Sequence, residues 1–186
     1  MKLPLLMTLL AAVSVTAQAK TISGIDVPDT LTTQQQELTL NGAGVRSKFF
    51  MDLYVGSLFT ALPATEAAPL IGGEQASAIR LNITSSMITK EKLADALNEG
   101  FDNATSGNTA PIDASIAKFV ELTFADDVTE GDQFTLMSVP GEGIYSYKNG
   151  ELRVLVEDDA FRQALLAVWL GDKPTDKSLK KAMLSR

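Results

Sequence analysis

Apolar and polar positions after residue 20 alternate between the two-residue period of strands and the longer period of helices. Residues 21–27 and 38–40 predict two short strands, the second followed by a turn at Asn41-Gly42. Residues 45–62 are apolar at most positions, which predicts one long strand covered on both faces. Residues 78–84 predict a further strand. The first half of the chain is therefore predicted to form a sheet.

Two helices are predicted after these strands. Leu93, Leu97 and Phe101 recur at four-residue intervals after Thr89, a residue type suited to cap a helix. The polar residues 103–108 separate this helix from a second one that starts near Pro111. The apolar face of the second helix is formed by Ile112, Ile116, Phe119, Val120 and Phe124.

The last third of the chain predicts a return to strands and then to helices. The three predicted strands are residues 133–139, 143–148 and 151–157. Asn149-Gly150 joins the last two and suits a type I′ hairpin turn. Asp158 or Asp159 caps a helix that ends at Gly171, and residues 175–184 form a short final helix. This order of elements predicts an α+β fold, with a mostly antiparallel sheet and helices layered on one side.

Residues 1–19 have the features of a signal peptide. Lys2 supplies the positive start, residues 3–15 are predominantly apolar, and Ala17-Gln18-Ala19 is a small-x-small cleavage site. The apolar run is shorter than the roughly 20 residues that a membrane-spanning helix needs. We therefore expect one mature domain, residues 20–186, with no stable membrane anchor after cleavage. An exported chain without cysteine fits a bacterial periplasm.

The composition excludes several classes of chemistry. The 186 residues include no His and no Cys, which removes Ser-His-Asp and Cys-His relays and the usual zinc and iron–sulfur ligands. The formal charge of −7 does not favour nucleic acid as a partner. The acidic pairs Asp126-Asp127 and Asp158-Asp159 stand where helices begin or end, so we interpret them as caps. Gly42-Ala43-Gly44 and Gly141-Glu142-Gly143 are interpreted as turns, and no metal or cofactor site is predicted.

Arg46 is the strongest candidate for a functional residue. It lies at the start of the most apolar predicted strand, where an unpaired guanidinium would be costly to bury. It either forms a structural ion pair with an acid or presents its planar fork to an anionic ligand in a cleft lined by Phe49 and Phe50. Tyr54 is eight residues further on, so a regular strand would place it on the same face as Arg46. Lys48 could supply a second cation.

The segment around Arg46 resembles a known family. Residues 41–50, NGAGVRSKFF, and residues 54–59, YVGSLF, resemble the glycine-arginine strand of chalcone isomerase-like proteins, in particular their exported bacterial branch. Residues 169–182, WLGDKPTDKSLKKA, are similar to the closing segment of that branch. The resemblance implies an open β-sandwich with a ligand cleft between sheet and helices. It also implies two kinds of relative: plant enzymes that close chalcones to flavanones, and non-catalytic fatty-acid-binding proteins that hold a carboxylate with an Arg and a Tyr.

The resemblance favours the second kind of relative. Arg46 matches the arginine of both groups, and Tyr54 falls where the fatty-acid-binding relatives have their tyrosine. Leu53, Thr89 and Ala96 stand at or near positions where the plant enzymes have polar groups.

We therefore predict a periplasmic, non-catalytic binding protein for a fatty-acid-like or other small apolar anion. Its predicted ligand-binding residues are Arg46, Tyr54, Lys48 and Phe50; no catalytic residue, metal or cofactor is predicted, and no oligomeric state. Two alternatives remain open. One is an isomerase of the chalcone isomerase type acting on a phenolic or enone substrate. The other is a structural protein in which Arg46 pairs with an internal acid.

Overall fold

The computed structural model describes residues 20–185, so the predicted signal peptide lies outside the described residues. A two-stranded ribbon of β1 (Lys20–Ile22) and β2 (Ile25–Val27) precedes a seven-stranded sheet. The strands of that sheet are β3 (Thr30–Thr33), β4 (Gln36–Lys48), β5 (Met51–Thr60), β6 (Ser77–Ile83), β7 (Gln133–Val139), β8 (Gly143–Lys148) and β9 (Glu151–Val156). They lie in chain order, and each pair of neighbours is antiparallel.

The helices pack on one side of the sheet, which confirms the predicted fold class. They are α1 (Ala68–Gly72), α2 (Lys90–Ala104), α3 (Asp113–Thr123), α4 (Asp159–Leu170) and α5 (Lys177–Met183), with a short 3-10 turn at Ala110–Ile112 before α3. Thr89 caps α2 and Asp158 caps α4, as the pattern predicts. α1 was not predicted, because five residues are too few to show a helical period. No helix of the described part of the chain combines the length and apolar character needed to cross a bilayer.

The sheet is strongly curled. The turn between β3 and β4 lies four strand spacings from β8, roughly 19 Å on a flat sheet. Gln34 Nε2 of that turn nevertheless donates a hydrogen bond to Tyr147 Oη of β8 at 2.6 Å. This contact requires the sheet to bend into a half-barrel with its concave face away from the helices.

Both faces of the sheet are buried at β5. Tyr54 and Leu58 belong to the large core on the helical side, whereas Val55 and Phe59 belong to a second apolar cluster on the opposite face. Ile22 and Ile25 of the β1–β2 ribbon pack against that second cluster. A strand that is buried on both faces has apolar residues at nearly every position, which explains the apolar run that β5 contributes to the sequence.

The prediction of one continuous strand over residues 45–62 is wrong, because this segment forms a hairpin. β4 continues from Gln36 through Asn41-Gly42, where a turn was predicted, and the chain reverses at Phe49-Phe50 instead. Asn41 is buried in the strand because its side-chain amide bonds to the backbone of Ala64 at 2.7 and 2.9 Å. It also donates to Met183 O at 2.8 Å, which ties β4 to the end of α5.

Two glycines interpreted as turn residues are in fact strand residues. Gly42 and Gly44 lie inside β4 on the face that α5 covers. A Cβ on Gly44 would stand 2.7 Å from Ala182 Cβ, and one on Gly42 would stand 2.7 Å from Met183 O. The glycines are therefore needed for close packing of α5. Of the other pair, Gly141 lies in the predicted turn with φ of 80°, and Gly143, with φ of 126°, is the first residue of β8.

Candidate functional site

A cavity of about 430 Å³ opens between the β4–β5 hairpin and the N-terminal half of α2. Its volume is within the usual range for small-molecule sites, about 300–1,000 Å³. The hairpin contributes Arg46, Lys48, Phe49, Leu53 and Tyr54. The facing wall includes Met87, Ile88, Lys92, Leu93 and Ala96, together with the exposed carboxylates of Asp95 and Glu99.

The register of the hairpin brings Arg46 and Tyr54 together. The two residues are direct cross-strand partners in the β4–β5 ladder. The prediction that they share a face is therefore confirmed, although they lie on two strands rather than one. The register shifts just beyond this pair, so that Leu53 is an extra residue on β5. This bulge turns both Leu53 and Tyr54 toward the cavity.

Tyr54 has a hydroxyl whose acceptor sites are already occupied. The side chain is 1% exposed, and its Oη accepts hydrogen bonds from Trp169 Nε1 at 2.9 Å and from Arg46 Nη1 at 3.5 Å. A phenol oxygen has two acceptor sites and one proton to donate. With both acceptor sites used, the remaining capacity of Tyr54 is to donate that proton to a ligand oxygen.

Arg46 is half-buried at the cavity wall and has no acidic partner in the part of the chain that the structure describes. Among residues 20–185, no carboxylate oxygen lies within 4.0 Å of its guanidinium. Its Cζ lies 5.6 Å from the centroid of the Tyr54 ring, and Tyr54 Oη is its hydrogen-bond acceptor among the described residues. Most of its five N–H donors therefore remain available for a planar anion.

Arg162 shows what a purely structural arginine looks like in this fold. It is 1% exposed, donates to Asp159 Oδ1 at 2.6 Å and donates to Ile71 O at 3.0 Å. Its hydrogen bond lowers the pKa of Asp159 below the usual value, so this carboxyl is ionised at neutral pH. Arg162 thereby fastens α1 to α4, a role that the sequence pattern did not reveal.

A smaller cavity of about 20 Å³ continues behind Arg46 and Tyr54. Its walls are mainly apolar and include Leu97, Phe134, Leu136 and Val168. Thr175 also lines it, and the Thr175 Oγ1 atom is buried with no hydrogen-bond partner in the described structure. Trp169 and Thr175 were not predicted as site residues, since they follow Tyr54 by more than a hundred positions and only the fold brings them beside it.

The other two predicted residues are at the edge of the site. Lys48 is exposed and lines the cavity mouth. Phe50 is fully exposed and is not part of the cavity wall, whereas its neighbour Phe49 is. The reason is the unpredicted turn: Phe49 and Phe50 occupy its two central positions, so their side chains cannot follow strand alternation.

Of the paired acids that were interpreted as helix caps, Asp158 is a cap, whereas the other three form ion pairs. Asp158 Oδ1 caps α4 by accepting from Phe161 N at 3.1 Å, and Asp126 pairs with Arg153 at 2.6 Å. Asp127 lies 3.3 Å from Lys90 Nζ. No cluster of three or more potential metal-ligating side chains of His, Cys, Asp or Glu occurs within residues 20–185.

A larger depression of about 770 Å³ lies among α1, α4, α5 and their connecting loops. Lys173 and Lys180 line it together with Glu66 and Asp172, and Lys180 Nζ already donates to Gly171 O at 2.8 Å. The hairpin cavity is the better candidate site, because it combines a buried phenol with an arginine that lacks an acidic partner within residues 20–185.

The chain is similar in sequence to a known protein family. A family model described as chalcone isomerase-like matches residues 19–185, nearly the whole length. The chain belongs to the chalcone isomerase-like family. A comparison with curated protein sequences gives no significant match.

The chalcone isomerase-like fold is also found by comparison of structures. The crystal structure of a fatty-acid binding protein from Arabidopsis thaliana superposes with a TM-score of 0.69 at 16% sequence identity. The match covers 87% of this chain and 92% of the plant protein. At that identity the similarity establishes the architecture, which agrees with the resemblance detected at Arg46.

The three positions compared with the chalcone isomerases offer little polar chemistry to the cavity. Leu53 and Ala96 line the cavity with apolar atoms. Thr89 Oγ1 accepts from Lys92 N at 3.4 Å as the cap of α2 and does not line the cavity. On the hairpin side of the cavity, the buried or half-buried polar groups that face a ligand are therefore Arg46 and Tyr54.

Proposed function

We propose that this chain is a periplasmic, non-catalytic binding protein that holds a fatty-acid-like or other small apolar anion. In this proposal the head group sits between Arg46 and Tyr54, and the apolar part occupies the cavity against α2. The observation that carries the proposal is that Arg46 has no carboxylate within 4.0 Å among the described residues and lies beside a hydroxyl with a proton to donate. A carboxylate would accept from both groups and supply the negative charge that no described residue places within 4.0 Å of Arg46.

The fatty-acid binding plant protein of the same fold supports this proposal at the level of ligand class. Burial of the ligand's apolar part against the cavity wall also contributes to the free energy of binding, at about 25 cal/mol per Å² of apolar surface buried. Lys48 and Lys92 at the mouth add positive charge that attracts an anion as it enters.

Fluorescence of Trp169 provides a direct test. It is the only tryptophan of the chain, and its indole N–H bonds to the Tyr54 hydroxyl at the cavity. Titration with decanoate should change its emission in a saturable way, whereas decylamine, which has the opposite head-group charge, should not. A protein whose emission is insensitive to decanoate and to longer fatty acids would overturn the proposal.

The isomerase alternative is separated from binding by a kinetic assay. Ring closure of a chalcone needs donors placed to stabilise a developing enolate, in addition to a cation for the phenolate. Tyr54 is the one neutral donor that we can assign to such a role at this cavity. We therefore expect no acceleration of chalcone cyclisation above the spontaneous rate, and a rate that rises with protein and falls on Arg46→Gln would establish the enzyme instead.

Export is a separate part of the proposal and rests on residues 1–19 alone. Cleavage after Ala19 should leave Lys20 as the first residue of protein recovered from a bacterial periplasm. Intact mass measures this directly. Recovery of the uncleaved chain in the inner membrane would show that the segment is an anchor.

A further inference from the structure

The tip of the β4–β5 hairpin is an exposed apolar surface at the mouth of the cavity. Phe49 is 79% exposed and Phe50 is fully exposed. Met51 and Met87 are also exposed, and both line the same cavity as Phe49. The remaining exposed large apolar side chains of the described residues, Leu62, Leu122 and Leu152, do not line it. The exposed apolar surface is therefore concentrated where a ligand would enter.

The backbone of the tip is strained by the residues that occupy it. Phe49 and Phe50 have φ of 51° and 65°, the left-handed values that a two-residue type I′ turn requires at both positions. Asn and Gly are favoured there, as at Asn149-Gly150 in this same chain. Two phenylalanines in this turn cost stability and gain no burial in exchange. Folding therefore does not explain their presence.

Cations and acids both lie near the tip of a chain whose overall charge is −7: Arg46, Lys48 and Lys92 line the cavity together with Asp95 and Glu99. Lys48 Nζ lies 5.7 Å from the Phe49 ring, and neither Lys48 nor Lys92 has a carboxylate within 4.0 Å among the described residues. The nearby Asp52 is turned toward the β1–β2 ribbon, where it accepts from Ser23 Oγ at 2.6 Å. Asp95 and Glu99 lie farther along α2 than Lys92.

We propose that this tip docks on an anionic phospholipid bilayer, with Phe49 and Phe50 inserted among the head groups and Lys48 and Lys92 facing the lipid phosphates. Aromatic side chains flanked by cations suit the membrane interface, which is apolar on one side and anionic on the other. Docking there would place the cavity mouth against the bilayer. The purpose, exchange of an apolar anion with the membrane, rests on the proposed function, but docking itself does not need a ligand.

Co-sedimentation with vesicles tests the proposal on ligand-free protein. Wild type should sediment with phosphatidylcholine vesicles that contain phosphatidylglycerol and only weakly with phosphatidylcholine alone. Phe50→Gly should reduce the partition coefficient roughly 10- to 100-fold, the scale expected for a buried phenylalanine side chain. Since Gly relieves the positive φ, this variant should unfold at the same or a higher urea concentration than wild type.

Leu152→Ser is the matched control, because it removes an exposed apolar side chain on β9 away from the tip. It should leave vesicle binding unchanged. Equal losses in the two variants, equal binding to both kinds of vesicle, or no effect of Phe50→Gly would each overturn the proposal. A dimer in solution that forms through the wild-type tip and that Phe50→Gly dissociates would also overturn the proposal.

The proposed function is tested separately, without vesicles. Because Phe50 is outside the cavity wall, Phe50→Gly and wild type should bind decanoate with the same affinity. If wild type does not bind decanoate, the proposed function alone is contradicted.

Discussion

Trp169, Tyr54 and Arg46 form a chain of polar contacts that sets the chemistry of the site. The indole donates to the phenol, the guanidinium approaches the same oxygen, and the phenol proton is left for a ligand. The sequence made Arg46 a candidate site residue because a guanidinium in an apolar segment needs a partner. It could not identify Trp169, whose contribution depends on a contact between residues 115 positions apart.

Tyr54→Phe tests that chain of contacts. Loss of the neutral hydroxyl donor should weaken decanoate binding by about 0.5–1.5 kcal/mol. It should also lower the free energy of unfolding by roughly 1 kcal/mol, because Trp169 Nε1 loses its acceptor. Titration calorimetry and urea unfolding measure the two effects. Tyr145→Phe is the control, since Tyr145 Oη bonds to Glu142 at 2.7 Å outside the cavity; an equal loss of affinity in both variants would contradict the assignment.

The ion pair between Asp132 and Lys148 makes the free energy of unfolding depend on pH. Asp132 lies 3.1 Å from Lys148 Nζ, and both side chains are largely buried. Burial raises the pKa of Asp132, but hydrogen bonds from Asn149, Thr129 N and Lys148 outweigh burial and hold that pKa below its usual 3.8. The carboxylate therefore stabilises the fold above the unfolded-state pKa, and this contribution is lost as pH falls through the folded-state value.

Asp132→Asn should consequently lower the free energy of unfolding at pH 7 by roughly 1–3 kcal/mol. The difference between variant and wild type should shrink as the pH is lowered below about 4, where wild type also becomes protonated. Urea unfolding at a series of pH values measures it. A difference that is the same at pH 7 and pH 3 would show that the ionised carboxylate is not the stabilising form.

At the scale of elements, the sequence predicted the helices and turns that have a periodic apolar pattern or residues that favour a turn. The capped helices α2 and α4 and the Asn149-Gly150 hairpin are confirmed by the structure. The β4–β5 hairpin was missed because Phe49-Phe50 contains none of the residues that favour a turn. Gly42 was misread for the opposite reason: its small size serves packing against α5 rather than chain reversal.

Gly42→Ala tests the packing of α5 on β4. The added Cβ would meet backbone oxygens of Ala182 and Met183, which cannot move aside as a flexible side chain can. We expect a loss of roughly 1–3 kcal/mol in the free energy of unfolding. Gly72→Ala is the control, because nothing lies within 4 Å of its added Cβ and it stands in the last turn of α1. Similar stabilities of the two variants in urea would contradict the close approach of α5.

At the scale of the whole molecule, the fold and the site differ in how far the sequence could predict them. The α+β arrangement follows from element order, and the resemblance around Arg46 named the family that the comparison then showed. The resemblance implied a cleft between sheet and helices, but the walls of the cavity could not be predicted, because they depend on the hairpin reversing at Phe49-Phe50 and on α4 placing Trp169 behind Tyr54. The curled sheet and the covering helices bring these distant segments together.

The central proposal is that Arg46, which has no acidic partner among the described residues, binds the charge of an apolar anion. Calorimetry with decanoate and 1-decanol on wild type and Arg46→Gln tests it most directly, because the two ligands differ in head-group charge and share the apolar chain. Arg80→Gln is the matched control, since Arg80 is also half-buried and without a carboxylate partner among the described residues, but lies on the opposite face of the sheet beside Thr135 and Phe59.

We predict that Arg46→Gln weakens decanoate binding by about 1.5–3 kcal/mol and scarcely changes the weaker binding of decanol, while Arg80→Gln changes neither. If Arg46→Gln weakens the binding of both ligands equally, or simply unfolds the protein, then Arg46 stabilises the fold and its proposed role in binding the head-group charge is contradicted.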